Sequence, residues 1–429
     1  MNRRDFLRYL SMGAAAGLTL PLEQVLAAAA VPGNTGANGR VVVVGGGMAG
    51  AAVAKYLRLW GGTGVKVTLV EPNAIYYSNI FSNKVLTGDT TLAKLAYNYT
   101  ALKKNYGIEV KTTSVTAIDP TSKQVKLADG GTLPYEHLVL APGITFDALS
   151  VSGTIGNKAK IVHAWQAGPQ TVSLQAQVKA MTNKDTFILT IPPKPYRCPP
   201  GPYERACVVA DYLTRVKKGG KVIVLDANNG ILAEPNNFGK AFTSIHKNIT
   251  YVPNAILNSI DADTGTVNTA VGSFKGKVIN AIPAQRAASI ITQSGLGLAN
   301  DTTGKWAGVD LLSYESTAVA KIHVIGDSHA SGQPKAGHIA NAEAKVCADA
   351  IVRAMRGESP NPNPRTNSAC YTPITKTTAS WLSVAFKYDP ALKTMVPAGA
   401  GVVESATINK DNYEEMNKWF SNLMSDTFA

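Results

Sequence analysis

Two of the four cysteines, Cys198 and Cys370, lie in proline-rich segments and have the clearest potential for chemistry. Cys198 is in a loop, residues 192–200, that holds five prolines and precedes a helical pattern at residues 203–216. The dipole of a helix favours a thiolate near its N-terminus. Because proline has no N–H group, this loop is poorly suited to bind a phosphate. We therefore expect it to hold a reactive thiol; the simpler alternative is a stiff connector with an incidental cysteine.

The other two cysteines, Cys207 and Cys347, fall within helical patterns, where a cysteine is usually a small buried apolar residue. Four cysteines in an exported protein allow three complete pairings. Among these, Cys198 and Cys370 are the better candidates for a reactive pair. The six histidines show no close metal-ligand spacing, so we expect no metal site. The chain has no Cys-x-x-Cys-His motif and therefore carries no c-type haem of its own.

The elements that must position these thiols begin with a dinucleotide-binding pattern. Residues 40–71 read as a strand, a glycine-rich turn, an amphipathic helix, a second strand and an acid. Gly45 would make the tight turn, Gly47 would let the backbone approach a pyrophosphate, and Gly50 would let the helix pack on the strand. Glu71 would accept hydrogen bonds from the adenosine ribose. The complete arrangement predicts a dinucleotide site here.

Two later segments indicate that the dinucleotide is FAD and not NAD, and a third is suited to the flavin. Residues 135–143 read as a short strand running into a sharp turn, and residues 322–327 as a buried strand ending in Gly-Asp. A helix predicted from residue 339 would present its positive N-terminal end to an anionic reduced flavin. The residues that we expect to contact FAD from these segments are Pro142, Gly143, Gly326, Asp327, Gly337 and His338.

The predicted fold is α/β, with two Rossmann-like dinucleotide-binding domains and a small C-terminal α+β domain. The FAD domain is split in sequence, at residues 38–150 and 278–355. Residues 151–277 form the second domain, which has the strand–loop–helix–strand order but no glycine cradle for NAD, although Asp226 lies where a ribose-binding acid would. Residues 356–429 form the third domain, whose aromatic residues serve either as a core or as a docking surface.

The first 30 residues resemble a twin-arginine export signal, with Arg3-Arg4, an apolar stretch and a run of alanines. We therefore expect a periplasmic protein that folds around its cofactor before export; an uncleaved anchor is the alternative. No other stretch is long and apolar enough to span a bilayer. The formal net charge is +13, yet no Lys/Arg block is longer than two. Nucleic acid is thus a less expected partner than an acidic protein or a small anion.

Taken together, these residues resemble the flavoprotein subunit of flavocytochrome c sulfide dehydrogenase, a disulfide reductase-like family of FAD proteins. The resemblance covers essentially the whole chain after the signal. Its most specific part is residues 197–206, RCPPGPYERA. The supporting segments are residues 41–47, 282–287, 323–327, 367–371 and 426–428.

This resemblance implies a redox-active disulfide between Cys198 and Cys370 beside FAD, with Glu204 as an acid/base group. It also implies that hydrosulfide is oxidised and that a separate c-type cytochrome subunit accepts the electrons. Family members with covalently attached FAD carry a cysteine where this chain has Asn79. Asparagine cannot form that thioether, so we expect FAD to be held non-covalently.

Three alternatives remain open from the sequence. A sulfide:quinone oxidoreductase shares the fold and the cysteine chemistry but should have an apolar tail for the membrane. An NAD(P)H-dependent disulfide reductase needs the glycine cradle that the second domain lacks. The third alternative is a flavin-bearing chain without catalytic activity that only docks its cytochrome. The sulfur product, the physiological acceptor and the cysteine attacked first are not determined by the sequence.

Overall fold

The computed structural model describes residues 30–429, so the predicted export signal lies outside the described residues except for Ala30. The described chain contains a seven-stranded sheet, here called the first sheet, that is parallel except at one edge. Its strands, in spatial order, are Val309–Asp310, Glu315–Ser316, Ile322–Val324, His137–Leu140, Gly39–Val44, Val65–Val70 and Glu109–Lys111. Strands from both predicted parts of the FAD domain therefore meet in one sheet.

The centre of the first sheet is the run of four valines, residues 41–44, which is buried on both faces. β-Branched residues without alternation are typical of a parallel strand covered on two sides. Helices Met48–Gly61 and Gly337–Met355 pack against each other over one face. Their contact brings the start of each helix to the same edge of the sheet, where the carboxyl ends of its strands also lie.

The second sheet has four parallel strands, Ile249–Val252, Lys221–Asp226, Thr186–Ile191 and Val278–Ala281 in spatial order. Helix Gly201–Lys217 connects two of them, as the sequence predicts to within two residues. Strand Val278–Ala281 pairs with residues 187–190, although the expected boundary at residue 277 would assign it to the FAD domain. The second sheet therefore extends past that boundary, because a buried apolar strand pairs with whichever sheet it can complete.

The C-terminal region is a three-stranded antiparallel sheet of strands Arg365–Pro373, Ala379–Asp389 and Thr394–Glu404, followed by helix Lys410–Phe428. Here the structure corrects the prediction that Cys370 lies in a proline-rich loop: Cys370 is in the first strand and pairs with Leu382. The strand escaped detection because three of its buried residues are polar, Thr366, Ser368 and Thr372. Without alternating apolar residues, a strand has no clear sequence pattern.

Smaller elements complete the described chain. The remaining helices are Ser82–Thr87, Leu92–Leu95, Thr100–Tyr106, Ile155–Lys158, Pro169–Ala180, Pro235–Lys240, Ala241–Ile245, Ser289–Thr292 and Gly326–Ser328. The remaining strands are Ile75–Tyr77, Ala96–Asn98, Val115–Asp119, Gln124–Leu127, Thr132–Pro134, Ile144–Phe146, Val151–Ser152, Leu257–Asp261, Thr266–Thr269, Gly272–Lys275 and Gln285–Ala287. Within residues 30–429 we find no helix with the length and hydropathy that crossing a bilayer requires.

Candidate active site

A cavity of about 670 Å³ collects residues from the first sheet, the loop of residues 192–200 and the C-terminal sheet. This volume is in the range of cofactor sites. Of the fourteen residues predicted for the site, thirteen line the cavity and Gly50 does not. The thirteen are Gly45, Gly47, Glu71, Asn79, Pro142, Gly143, Cys198, Glu204, Gly326, Asp327, Gly337, His338 and Cys370. Segments far apart in the sequence therefore meet around one space.

The glycine-rich turn forms one end of the cavity. Gly45 has a φ of +99°, and a Cβ atom there would lie 2.4 Å from the carbonyl oxygen of Ala141. A Cβ atom on Gly50 would lie 1.7 Å from the carbonyl oxygen of Gly45. By contrast, a Cβ atom on Gly47 would meet nothing closer than Tyr76, at 3.7 Å. The turn is thus closed on its protein side and open on its cavity side, as a pyrophosphate requires.

Glu71 holds this turn in place and lines the cavity. Its Oε2 atom accepts a hydrogen bond from the Gly46 N–H group at 2.7 Å, and its Oε1 atom accepts from the Asn73 side chain at 2.7 Å. The Tyr99 hydroxyl donates to the Gly46 carbonyl at 3.0 Å. Oε1 also accepts from the Asn73 N–H group at 2.9 Å, whereas Oε2 retains acceptor capacity. Glu71 can therefore also accept a hydrogen bond from a ligand hydroxyl.

Asp327 contributes an unpaired acceptor to the middle of the cavity. Its Oδ1 atom is buried and has no hydrogen-bond donor among residues 30–429, and its Oδ2 atom is 3.9 Å from Nη1 of Arg197. Burial raises the pKa of this carboxyl, and the nearby cations Arg197 and Lys335 oppose the shift. A buried acceptor without a donor is unfavourable unless a ligand supplies one. The hydroxyls of a ribityl chain are suitable donors.

Cys198 is fixed by its backbone. It has a φ of +59°, its N–H group donates to the carbonyl of Lys335 at 2.6 Å, and its carbonyl accepts from Gly201 at 2.9 Å. However, burial raises the pKa of its thiol to about 12, and the charge of Glu204 acts in the same direction. Arg197 and the Gly201 N–H group lower the pKa by less. Burial of the thiol therefore opposes the thiolate that the helix N-terminus is expected to favour.

Cys370 shares the cavity with Cys198, and both are free thiols in the structure. Burial raises the pKa of Cys370 well above its usual value, and the neighbouring Cys198 thiolate would raise it further. The strand that carries Cys370 is attached to the start of helix Gly337–Met355, since the Ala369 N–H group donates to Nδ1 of His338 at 3.0 Å. Two half-buried thiols whose charges affect each other thus face a common space.

Glu204 lies in the first turn of helix Gly201–Lys217 and is 9% exposed. Its Oε1 atom accepts from the Asn83 amide at 2.9 Å, and burial raises its pKa to about 7. Sequence reasoning did not identify the role of its neighbour Arg205, which is fully buried and donates to Oδ1 of Asn83 and to the carbonyl of Ala164. The adjacent Glu-Arg pair inside a helical pattern was the only signal for this network.

Asp226 ends the second strand of the second sheet, where a ribose-binding acid would be expected, yet it is fully buried. Its Oδ2 atom accepts from the hydroxyls of Tyr203 and Tyr251, at 2.8 and 2.9 Å. Its Oδ1 atom accepts from the backbone and side chain of Asn228. The carboxylate is saturated by protein groups and faces no open cradle, so this unit does not have the features of an NAD site.

These features fit FAD along the cavity, with the glycine turn and Glu71 at the adenosine end and Asp327 near the ribityl chain. Asn79 lines the cavity, where its Oδ1 atom accepts from the Ala167 N–H group at 2.8 Å. Cys207 and Cys347 are fully buried in apolar clusters away from it. The cysteines that line the cavity in residues 30–429 are Cys198 and Cys370.

Comparison with known protein families gives two matches. Residues 171–283 match the model described as sulfide dehydrogenase (flavocytochrome c) flavoprotein chain, central. Residues 39–181 match the pyridine nucleotide-disulphide oxidoreductase family. The first match includes the Cys198 loop and Glu204, and the second includes the glycine turn and Glu71.

Two curated relatives share parts of the sequence. The sulfide dehydrogenase (flavocytochrome c) flavoprotein chain of Chlorobaculum thiosulfatiphilum is 54% identical over 46 residues, which are 11% of this chain and 94% of that relative. Ferroptosis suppressor protein 1 of Taeniopygia guttata is 36% identical over 104 residues, which are 24% of this chain. The latter match spans 26% of that relative's length.

Solved structures share the fold over nearly the whole chain. The sulfide:quinone oxidoreductase of Aquifex aeolicus aligns with a TM-score of 0.74 and 18% identity, covering 91% of this chain and 92% of that one. Putidaredoxin reductase, in its covalent complex with putidaredoxin, aligns with a TM-score of 0.64 and 20% identity, covering 91% and 94%. The fold is therefore that of FAD-dependent oxidoreductases, and the chain belongs to the family of sulfide dehydrogenase (flavocytochrome c) flavoprotein chains.

Proposed function

We propose that this chain is the flavoprotein subunit of a sulfide dehydrogenase, which oxidises hydrosulfide and passes the electrons to a separate c-type cytochrome. The observation that carries the proposal is the placing of two thiols, Cys198 and Cys370, with Glu204 in a cavity that fits FAD. Arg197 and Arg205 also line this cavity and attract an anion. Asp226 is enclosed by protein hydrogen-bond donors, and the loop of residues 192–200 has no glycine cradle. Both features argue against NAD(P)H as the electron source.

The proposed first step uses a disulfide between Cys198 and Cys370. Hydrosulfide attacks the Cys198 sulfur; one S–S bond breaks, and a new one forms in a Cys198 persulfide. The incoming sulfur is oxidised, and Cys370 leaves as the reduced sulfur with the electron pair. Because hydrosulfide is the nucleophile, this step does not require a Cys198 thiolate. The high pKa of that thiol is therefore compatible with the reaction.

Glu204 is suited to move the proton of the incoming sulfur. Complete oxidation of one hydrosulfide to sulfur releases one proton and two electrons, and the proton must leave a buried cavity. A carboxyl with a pKa of about 7 can accept and release a proton near neutral pH. When bound, FAD supplies the chemistry that connects this two-electron oxidation to one-electron acceptors.

A cytochrome partner is favoured over a quinone by the C-terminal helix. In helix Lys410–Phe428 the side chains of Met416, Leu423, Met424 and Phe428 are buried within the protein, and Trp419 and Phe420 are half-buried. The helix therefore presents little apolar surface to a membrane, unlike the tail expected of a quinone reductase. Co-sedimentation with a c-type cytochrome and with liposomes would distinguish the two acceptors: flotation with liposomes would favour the quinone.

Periplasmic location by the twin-arginine route and non-covalent FAD are further parts of this proposal. The first is supported by residues 1–30 and can be tested by fractionation of cells that carry an Arg3→Lys/Arg4→Lys variant. Non-covalent attachment is supported by Asn79 in the cavity wall. Acid precipitation should leave the flavin in the supernatant; flavin that stays with the polypeptide would contradict this.

The decisive test is anaerobic addition of sulfide to the FAD-loaded protein, with NADH in parallel. We expect sulfide, and not NADH, to bleach the flavin absorbance. Cys198→Ser and Cys370→Ser should each lower the rate by more than about 100-fold. The matched control is Cys347→Ala, at a buried thiol that does not line the cavity, which should keep the rate. Bleaching by NADH alone would overturn the proposal, and a protein inert to both would indicate a non-catalytic chain.

A further inference from the structure

A buried acid outside the cavity, Glu234, is not used by the chemistry described above. It follows the second sheet's strand Lys221–Asp226, has a φ of +51°, and is 2% exposed. A left-handed conformation is unfavourable for a residue other than glycine and is kept only where the surroundings require it. No ion pair in residues 30–429 includes Glu234. An unpaired carboxylate at this depth would be costly.

Two hydroxyls of the C-terminal sheet complete a ring with this carboxyl. Oγ1 of Thr372 is 2.8 Å from Oε1 of Glu234 and 2.9 Å from Oγ of Ser380, and Ser380 contacts Oε2 of Glu234. Both hydroxyls can donate to the carboxyl oxygens, which uses both of their protons. The contact between Thr372 and Ser380 then has no proton unless Glu234 supplies one to the ring. A protonated Glu234 is therefore the form that gives all three contacts a proton.

This ring reaches the cavity through Thr372. Thr372 lines the cavity and lies two residues after Cys370 on strand Arg365–Pro373, so the two side chains are on the same face of the strand. Ser380 and Glu234 do not line the cavity and contact Thr372 from the protein side. Two residues along a strand span roughly 7 Å, so a proton can pass from the buried carboxyl through the Thr372 hydroxyl and one bridging water of the cavity to the Cys370 sulfur.

We propose that Glu234 is a positioning residue that holds a proton for Cys370 and exchanges it through Thr372. When the disulfide opens, the Cys370 sulfur gains an electron pair and takes this proton, which leaves a Glu234 carboxylate. Disulfide, hydrosulfide and the Glu234 acid give the Cys198 persulfide, the Cys370 thiol and the Glu234 carboxylate, so that three sulfurs, two protons and one negative charge balance. The carboxylate takes the proton back before the Cys370 sulfur gives up its electrons.

The charges around Glu234 suit a group that keeps its proton at rest. The titratable groups that face it are Glu404 on strand Thr394–Glu404, Glu204 and Cys207 on helix Gly201–Lys217, and Cys370. All of them are acids or thiols, so their charges oppose ionisation. Burial, with these charges, raises the pKa of Glu234 to about 8. The same burial makes a bare Cys370 thiolate unfavourable, which creates the need for the proton.

The first test reads the proton directly and does not depend on sulfide. The FAD-loaded protein with its cysteine pair oxidised is reduced by a phosphine, and infrared difference spectra of the carboxyl C=O region are recorded over time during the reaction. We expect the signal of one protonated carboxyl to be lost as the disulfide opens and to return as Glu234 takes a proton back, with no such transient in Glu234→Gln. A wild-type signal that never changes during reduction, or a transient that persists in Glu234→Gln, would overturn the proposal.

The second test uses the rate of flavin reduction and therefore depends on the proposed function. In the wild type the rate should fall as pH rises through about 8, where Glu234 loses its proton. Glu234→Gln and Thr372→Val should lower the rate about 100-fold and remove this pH limb. Thr372→Ser, which keeps the hydroxyl, should restore both. If either test variant does not fold, as checked by thermal unfolding, the other carries the measurement.

The outcomes separate the two proposals. A wild-type protein that sulfide does not reduce would refute the sulfide dehydrogenase, whereas the infrared result would still decide the role of Glu234. A Glu234→Gln variant with the wild-type rate and pH profile would refute the role of Glu234 and leave the sulfide chemistry intact. A loss of thermal stability in Glu234→Gln without any change in pH profile would show that the ring is purely structural.

Discussion

The first and second sheets each contain a strand–turn–helix–strand unit, and the two units differ most in the turn. In the first, three residues join strand Gly39–Val44 to helix Met48–Gly61. In the second, nine residues join strand Thr186–Ile191 to helix Gly201–Lys217. The short turn leaves the N–H groups at the start of its helix open to an anion. The long turn replaces this opening with Cys198.

The two helices also differ in the charge of their first turns. Helix Met48–Gly61 has no acid in its first turn, whereas helix Gly201–Lys217 has the buried Glu204. The acids that end the second strands also differ, since Glu71 lines the cavity and Asp226 is enclosed by tyrosines. One backbone plan can therefore hold a dinucleotide or a thiol, depending on the length of a single turn and the groups that close it.

The largest effect is expected from closing the first turn. In Gly50→Ala the new methyl group would lie 1.7 Å from the Gly45 carbonyl, and backbone cannot move aside as a flexible side chain can. We expect the purified protein to lose its FAD, as measured by the ratio of flavin to protein absorbance. Gly156→Ala, where a Cβ atom meets nothing within 4 Å, is the control and should retain FAD. A Gly50→Ala protein with full flavin content would contradict the account of this turn.

Smaller effects, which should distinguish FAD affinity from stability, are expected from replacing Glu71 and Asp226, the acids at the two strand ends. Glu71→Gln removes a charged acceptor at the cavity and should weaken FAD binding about tenfold, which corresponds to about 1.4 kcal/mol. Asp226→Asn places an amide where four donors converge and should lower the free energy of unfolding by about 1–3 kcal/mol with little change in FAD affinity. Flavin titration and denaturant unfolding measure these two quantities. Equal losses of FAD affinity in both variants would show that the second acid also serves the cofactor.

A third prediction concerns pH and Glu204. Its pKa is raised from 4.5 in the unfolded chain to about 7 in the folded protein, so the folded protein binds more protons between these values. The contribution of Glu204 to the free energy of unfolding is thus greatest below about pH 4.5 and decreases as pH rises to about 7. Glu204→Gln should flatten this decrease by about 2–3 kcal/mol in unfolding measured across that range. Glu414→Gln, at an exposed acid, should leave it unchanged; a Glu204→Gln profile like the wild type would refute the raised pKa.

The sequence predicted the elements whose residues follow a simple period. The strand–turn–helix–strand order of residues 40–71 is confirmed, and the helix predicted at residues 203–216 was placed within two residues, because apolar runs and glycines mark these elements. The strand of Cys370 was missed because it buries hydroxyls that satisfy Glu234 and a neighbouring strand. Burial of polar residues by mutual hydrogen bonding leaves no hydrophobic pattern.

The residues of the site were predicted more completely than the surroundings that set their chemical properties. The cavity residues came from recognisable turns, but the raised pKa of Cys198 depends on burial by residues distant in sequence. The enclosure of Asp226 depends on Tyr251, which is 25 residues away and on another strand. The role of Glu234 depends on two hydroxyls more than 130 residues further along the chain. Such pairings are set by the tertiary structure and have no local signature.

The cavity wall has a consequence for how the protein folds. It draws on residues from Gly45 to Trp419, so it requires contacts between segments that are among the most distant in the described chain. Loop closure over such separations makes folding slow, and chains of this size pass through intermediates. The glycine turn joins segments that are close in the sequence and can form early, whereas the cysteine face closes only when the C-terminal sheet docks. We therefore expect FAD to be captured first by its adenosine half and enclosed last around the thiols.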